Sequence, residues 1–412
     1  MQHPPPIPHL FQGFGIELEY MIVHQETLAV LPVADQLLAR AAGGGIVNDV
    51  ERGAYEWSNE LTLHVVEMKT NGPVPSLSGL ATGLQEEVRA MNRLLAPLDA
   101  VLLPTAMHPW MDPCRETRLW PHGHRAVYEA YNRIFNCQGH GWSNLQSVHL
   151  NLAFNGDREF GLLHGAIRLL LPLIPALCAS SPFVEGRSTG LLDNRLEFYR
   201  GNQARIPSLT GAVIPEPVYT RQQYEETILA RNFRDIAPHD PEGILQDEWL
   251  NSRGAIARFQ RSAIEIRLVD IQECPGADLA VITAMVALLR ALVGERWSGV
   301  KEQQALPVAP LARLLGQTIR HADQAVLNDP AYLHLFGIKE RKLQAGELWQ
   351  WLIAETVPVA DESRPRLDLI LRQGPLARRL LQASGNEPDQ TRLHTIYHRL
   401  KNCLEQGEMF AL

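Results

Sequence analysis

Phe14-Gly-Ile-Glu-Leu-Glu-Tyr-Met-Ile-Val23 is the stretch on which the fold turns. Its residues alternate in character with a period of two, as a β-strand with two different faces does. Ile16, Leu18 and Tyr20 point one way, Glu17 and Glu19 the other. Two carboxylates on one strand face repel each other and cost desolvation if covered. A solvated edge relieves both problems, and so does a divalent cation.

Three further runs share this two-faced texture. Glu60-Leu-Thr-Leu-His-Val-Val-Glu-Met-Lys-Thr70 is a second acidic strand. Glu60 and Glu67 are seven apart, so a regular strand puts them on opposite faces, and both reach one site only if the strand bulges or ends between them. In Leu145-Gln-Ser-Val-His-Leu-Asn-Leu-Ala-Phe154, Ser147, His149 and Asn151 share a face. In Ala263-Ile-Glu-Ile-Arg-Leu-Val-Asp-Ile271, Glu265 and Arg267 sit together, opposite Ile264, Ile266 and Leu268. Strands with one apolar face and one face of carboxylate, imidazole or guanidinium suit an antiparallel sheet packed on helices on one side and lining a site on the other. Carboxylate oxygens with an occasional histidine suit Mg²⁺ or Mn²⁺ better than zinc.

Composition narrows the chemistry. The 412 residues include 38 basic and 46 acidic side chains, a formal charge of −8, which argues against general nucleic-acid binding. Only five of the basic residues are lysines (Lys69, Lys301, Lys339, Lys342 and Lys401), so 33 are arginines. There is no G-K-[ST] tripeptide for a P-loop and no kinase motif set, and Lys69 alone is available for a Schiff base in the first three hundred residues. Phosphates or carboxylates must then be met by arginine, metal ions or backbone N–H groups. Gly43-Gly-Gly45 reads as a turn rather than a phosphate cradle.

Five cysteines, widely spaced and without C-x-x-C, read as a reduced chain with a cytoplasmic address. The segment Met1–His9 lacks the basic and apolar regions of a signal peptide. The apolar stretch Leu162–Ala179 carries His164, Arg168, Pro172 and Pro175 and reads as a buried helix, so no membrane partner is expected. Texture changes near Trp297. Residues 1–299 are expected to form a catalytic sheet-and-helix domain and residues 300–412 a helical subdomain, with helices over Pro310–Val326, Ala345–Val357, Leu367–Ser384 and Thr391–Gly407. Pro358, Pro365, Gly385 and Pro388 mark breaks between them, and Trp349 and Trp351 read as helix packing.

Five segments, in order, resemble the glutamate–cysteine ligases, in particular the bacterial carboxylate–amine ligase branch with a glutamine-synthetase-like fold. They are Gly15-Ile-Glu-Leu-Glu19, Ser58-Asn-Glu60 with Val66-Glu-Met-Lys-Thr70, Ser147-Val-His-Leu-Asn151, the region Ala179–Gly211, and Ile264-Glu-Ile-Arg-Leu-Val-Asp270. The resemblance implies an α+β fold: a curved antiparallel β-sheet with helices on one face, of glutamine synthetase/guanido kinase type. Its other face would hold ATP, Mg²⁺ (or Mn²⁺) and small-molecule amino acid and amine substrates. Glu17, Glu19, Glu60, Glu67, His149 and Glu265 resemble the metal and nucleotide-phosphate shell. Arg267, beside Glu265, resembles the arginine facing the transferred phosphoryl group, and Arg205, Arg195 and Arg253 resemble anion clamps. Several segments depart from the branch. His149 is followed by Asn151 rather than a second histidine, Ala204-Arg-Ile-Pro-Ser-Leu-Thr-Gly211 replaces a Trp-Pro-Arg-Thr-Gly run, and Trp249-Leu-Asn-Ser-Arg253 replaces a Trp-Asp-x-Arg segment. Cysteine as the amine is therefore in doubt.

The implied reaction is amide formation from glutamate or a similar carboxylate and an amine, through an acyl phosphate. The stretch Met107–Gly141, rich in Pro, Gly, His and Arg, is either a lid over such a site or a connecting excursion. Three alternatives stand beside this reading: a metal-dependent hydrolase of amide or γ-glutamyl bonds, a non-catalytic binding protein, and a zinc site from His122, His124 and His108 or His140. Quaternary structure is left open, a homo-oligomer included.

Overall fold

The computed structural model describes residues 7–385 and 389–412. Its centre is an eight-stranded, wholly antiparallel sheet, which accords with the expected α+β class. The strands are β1 (Phe14–His24), β2 (Asp49–Arg52), β3 (Tyr55–Asn59), β4 (Val65–Thr70), β5 (Ala100–Leu103) and β6 (Ser147–Ala153), then β9 (Ala255–Arg258) and β10 (Ala263–Asp270). Two-residue strands β7 (Phe183–Val184) and β8 (Arg187–Ser188) form a separate hairpin between them. The sheet order is β2-β3-β4-β1-β6-β10-β9, with β5 pairing the far end of β1. The second acidic run is thus not one strand. It breaks after Asn59, and residues 60–64 turn the chain back into β4.

The apolar face of the sheet is covered by helices. Ile16, Leu18, Tyr20, Val66, Met68, Leu150, Leu152, Ile264 and Ile266 share one continuous core with residues from three of them: Leu80–Leu95, Gly156–Leu170 and Pro275–Val293. Leu80–Leu95 is amphipathic and shows that core a stripe of Leu84, Val88, Met91 and Leu95. Pro275–Val293 starts with proline at its first position, where no N–H is needed, and is apolar nearly all round because it lies between the sheet and outer helices. It and Gly156–Cys178 are long and apolar enough to cross a membrane, but most of each is packed inside the fold, as expected for Leu162–Ala179.

The helical texture beyond residue 300 is present, with adjustments to all four expected helices. The first helix runs Val308–His321, not to Val326. Ala322 leaves the helix at a positive φ, and Val326–Leu327 (β11) pairs with Leu343–Gln344 (β12). The run Leu367–Ser384 is two helices, Arg364–Gln373 and Leu376–Ser384. Gly374 turns at φ 83° and Pro375 bars continuation. Helix Ala345–Thr356 ends one residue early, and Gln390–Gln406 stops before Gly407, which takes the left-handed conformation. Pro388 lies outside the described residues. Trp349 is buried, and Leu315, Leu348 and Leu352 belong to the same core as the sheet.

Burial also shapes the acid response. It holds His64 and His108 down at about 4, and His164 at about 3. A histidine neutral in the fold binds a proton on unfolding below about pH 6.5, so its stabilisation is complete above that pH and is lost as pH falls toward the folded value. We expect on the order of 2 kcal/mol lost per histidine between pH 8 and pH 5, read as falling urea midpoints. A flat midpoint across that range contradicts it.

Candidate active site

The site is a product of strand register. Antiparallel pairing puts Glu17 opposite His149 on one side and Lys69 on the other, with Glu56 opposite Lys69 in turn. The next row of the same face pairs Ser58 with Glu67 and Glu67 with Glu19. A third row runs Gly15, Asn151, Glu265. Gly15 leaves room there: a Cβ on it would meet Asn151 Cβ at 3.0 Å, tighter than ordinary contact, and Asn151 donates from Nδ2 to Glu17 Oε1 at 2.9 Å.

A β-bulge completes the arrangement. Ile266 pairs with Leu150 but Val269 pairs with Val148, so Arg267 and Leu268 together oppose His149. Before the bulge odd-numbered residues of β10 face the site; after it the phase switches. Leu268 is pressed against Gly254, where a Cβ would lie 2.7 Å from its Cδ1, and Arg267 N–H donates to Gly254 O. The same switch pairs Asp270 with Ser147.

Glu17, His149 and Glu265 converge, with one donor atom of each lying within 4.8 Å of the others. Among the described residues no other such group of three occurs, and the zinc reading falls with it. His108 Nε2 bonds Leu28 O, His122 pairs with Asp35, and His140 lies near Asn144 and Glu185. His149 Nδ1 is 2.9 Å from Glu17 Oε2, and its Nε2 is 3.7 Å from Glu19 Oε1. Burial works against its charge, but Glu17 and Glu19 outweigh burial and lift His149 to about 9. Burial also works against Glu17, yet the His149 hydrogen bond and the charges of His149, Lys69 and Arg267 hold it at about 2. Glu19 Oε2 accepts from Ser147 N at 2.7 Å and Ser147 Oγ at 2.9 Å.

Glu60 stands just past the end of β3 and, because the chain turns there, reaches the same cavity as Glu19. Burial, with Glu19 and Glu67 close by, pushes its carboxyl well up. Glu67 is also raised, by burial and Glu17, although Lys69 Nζ donates to its Oε1 at 2.7 Å and Ser58 Oγ at 2.8 Å. Lys69 also lies 3.2 Å from Glu56. Arg267 Nε is 2.7 Å from Glu265 Oε1, a charge contact without hydrogen-bond alignment, while Arg258 Nη1 donates to Glu265 Oε2 at 3.1 Å. Six carboxylates thus share the face with His149, Lys69, Arg258 and Arg267. Carboxylates crowded until two resist ionising form an oxygen-rich donor set that fits a divalent cation such as Mg²⁺.

Two cavities flank this cluster. One, of about 270 Å³, is lined by Glu19, Glu60, His149, Arg195 and Arg267 and walled by aromatic side chains. The other, of about 310 Å³, is lined by Gly15, Glu17, Glu56, Lys69 and Asn151. Arg195 lines the first and is tied down, with Nη1 donating to Asp270 Oδ1 and Nη2 to Arg267 O. The structure does not bring the other two expected clamps here. Arg253 is buried in a two-pronged pair with Glu216, and Arg205 is exposed and donates to Ile134 O. The stretch 107–141 is not an open loop. It includes helices Pro113–Glu116 and Arg125–Phe135, and the latter supplies Tyr128 and Tyr131 to the cavity wall.

Several site residues carried no earlier assignment. Lys69, a Schiff-base candidate by sequence, stands two residues after Glu67 and so shares its face. Arg258 lies on β9, too short a strand to stand out. Asp270 accepts from Ser180 N, Ser181 Oγ and Arg195. The broken alternation at Leu268-Val269 was the one signal for its inward turn.

Comparison with known proteins bears on the family and the fold. The profile of glutamate–cysteine ligase family 2 matches residues 13–392. An uncharacterized protein of Archaeoglobus fulgidus is 33% identical over 96% of this chain and 99% of its own length. A Bradyrhizobium sp. protein with the provisional name glutamate–cysteine ligase 2 is 26% identical over 68% of this chain and 61% of its own length. Among solved structures, glutamate–cysteine ligase from Francisella tularensis in complex with AMP superposes with a TM-score of 0.64 at 13% identity, covering 98% of this chain and 89% of that one. A bifunctional glutathione synthetase from Pasteurella multocida gives 0.59 at 15% identity, over 96% of this chain and 52% of that one. At such identities these structures speak for the fold, while the profile match across the chain speaks for descent: the protein belongs to glutamate–cysteine ligase family 2 and is an ATP-dependent ligase.

Proposed function

We propose that the protein joins the side-chain carboxylate of glutamate, or of a similar amino dicarboxylate, to an amine in the cytoplasm, through an acyl phosphate. The observation that carries this reading is the convergence of Glu17, His149 and Glu265 beside Arg267, between two cavities on one sheet face. We assign the nucleotide to the cavity at Gly15 and Lys69, and acyl chemistry to the cavity at Arg267 and Arg195. Residues 1–299 then supply all the reacting groups, with 300–412 as a helical buttress.

A free carboxylate has too poor a leaving group for an amine to displace, and phosphorylation by ATP removes that obstacle. Glu17, Glu19, Glu60, Glu67, His149 and Glu265 would hold Mg²⁺ (or Mn²⁺), which when bound neutralises phosphate charge and draws the phosphate oxygens into position. Glu60, Glu67 and His149, which hold protons more readily than usual in the free protein, would have to release them to act as ligands of such a cation. Arg267, planar and always charged, meets the phosphoryl oxygens in transit, and Glu265 fixes its direction. Asp270 and Ser147 keep Arg195 and Glu19 from drifting. The aromatic wall excludes water that would hydrolyse the acyl phosphate.

With Mg-ATP and glutamate, the enzyme is expected to release ADP when an amine is added, and hydroxylamine should trap the acyl phosphate as a hydroxamate. An absence of both across a broad amine panel refutes the reading, and metal-dependent amide cleavage without nucleotide would put the hydrolase in its place. Glu17→Gln and Glu265→Gln should each weaken Mn²⁺ binding by roughly tenfold or more, measured by titration of the metal alone. Unchanged affinity in both would remove these residues from the metal shell.

A further inference from the structure

The wall of the substrate cavity is built of aromatic rings, where exclusion of water needs only apolar bulk. Tyr131 lies between Trp142 and Trp249, at ring-centroid distances of 5.2 and 5.9 Å, and Tyr128 stands one helical turn away. All four line the cavity. Trp142 is held by a bond from Nε1 to Asn202 O, and Tyr128 by a bond from Asn59 Nδ2 to its hydroxyl. These are fixed flat surfaces, suited to edge-to-face or offset stacking with another ring.

The charges of the same cavity point the same way. Among the described residues its lining holds three basic side chains, Arg195, Arg267 and His149, and each already faces a carboxylate, Asp270, Glu265 and Glu17 respectively. What these two guanidiniums have left is taken up by the carboxylate being activated and its phosphate. Arg253, which follows the lining residue Ser252, is turned away into Glu216. Glu19 and Glu60 add negative charge. An acceptor with its own α-carboxylate would bury that group beside Glu19 and Glu60 with no unpaired basic side chain in the lining, which is costly.

We infer that the acceptor is a primary amine with an aromatic body and no carboxylate, an arylalkylamine, seated against Tyr131, Trp142 and Trp249. This deepens the proposed function and rests on it. The amine attacks as the neutral free base, its ammonium proton having gone to solvent before the cavity encloses it. Its nitrogen lone pair forms the C–N bond. The C–O bond to phosphate breaks with its electron pair going to the leaving group, which takes the nitrogen's proton and departs as hydrogen phosphate.

Matched pairs test this. ADP release with Mg-ATP and glutamate is measured for 2-phenylethylamine against phenylalanine, and for cysteamine against cysteine, each pair differing by one carboxylate. We expect kcat/KM at least tenfold higher for the carboxylate-free member of both pairs, and 2-phenylethylamine above cysteamine. Trp249→Leu should raise KM for 2-phenylethylamine more than for cysteamine. Equal or better turnover of cysteine or phenylalanine overturns the inference and leaves the proposed function standing. A hydroxamate with hydroxylamine but no turnover of 2-phenylethylamine does the same. No ADP with any amine and no hydroxamate sinks both.

Discussion

Arg267→Lys should lower turnover by roughly 10² to 10³-fold while leaving thermal unfolding close to that of the parent protein. The side chain lies on the bulge of β10, directed by Glu265 and aimed into the substrate cavity. An ammonium keeps the charge but not the planar array of donors, and a lysine's shorter contact to Glu265 cannot hold several phosphoryl oxygens at once. The expected signature is a fall in kcat with little change in the concentration of ATP needed for half-saturation, because the interaction strengthens as the phosphoryl group moves. A rate within threefold of the parent would show that Arg267 is a structural partner of Glu265 and nothing more.

The second large effect concerns stability. Glu273 and Arg379 form an ion pair of 2.5 Å with both side chains wholly buried. Arg379 also donates to Gly374 O and to Phe410 O, so this one guanidinium ties the end of β10, the turn before helix Leu376–Ser384 and the C-terminal segment together. Removing one partner strands a charge in a low-dielectric interior. Arg379→Ala is therefore expected to cost about 3–5 kcal/mol in equilibrium unfolding. The double replacement Glu273→Leu with Arg379→Met leaves no stranded charge and should recover most of that loss. If the double variant is no more stable than Arg379→Ala, the packing of this junction, rather than its charge, holds residues 300–412 to the sheet.

How much of this could be read beforehand differs residue by residue. Strand β1 is plain because residues 14–20 alternate without interruption, and β6 because residues 147–152 do. β10 reads as a regular strand by sequence, and the Leu268-Val269 doublet is the one trace of its bulge. β2, β3, β5 and β9 were missed, since strands of four or five residues present too few alternations to separate from chance. Glu60 and Glu67 could not be reconciled along one strand. They meet on one side of the molecule because the chain reverses between them. No local pattern at Arg195, Arg205 or Arg253 says which way the side chain turns, and Arg205, the firmest of the three by resemblance, is one that stays outside the cavity. Asp270, the Ile134 carbonyl and Glu216, all distant in the chain, decide that only Arg195 reaches the cavity.

The shortage of lysine and the period-two placement of Glu17, Glu19, His149, Glu265 and Arg267 belong to the chain itself. They are local properties, written at spacings of one or two residues, and so they specified an antiparallel sheet with one charged face. What assembles on that face was decided only in three dimensions: Lys69 set among three carboxylates, Arg253 consumed by Glu216, and an aromatic wall drawn from residues 128, 131, 142 and 249. Register, a one-residue bulge and loop closure set those meetings. Each depends on pairing between segments tens to more than a hundred residues apart, for which no short-range pattern carries a signal.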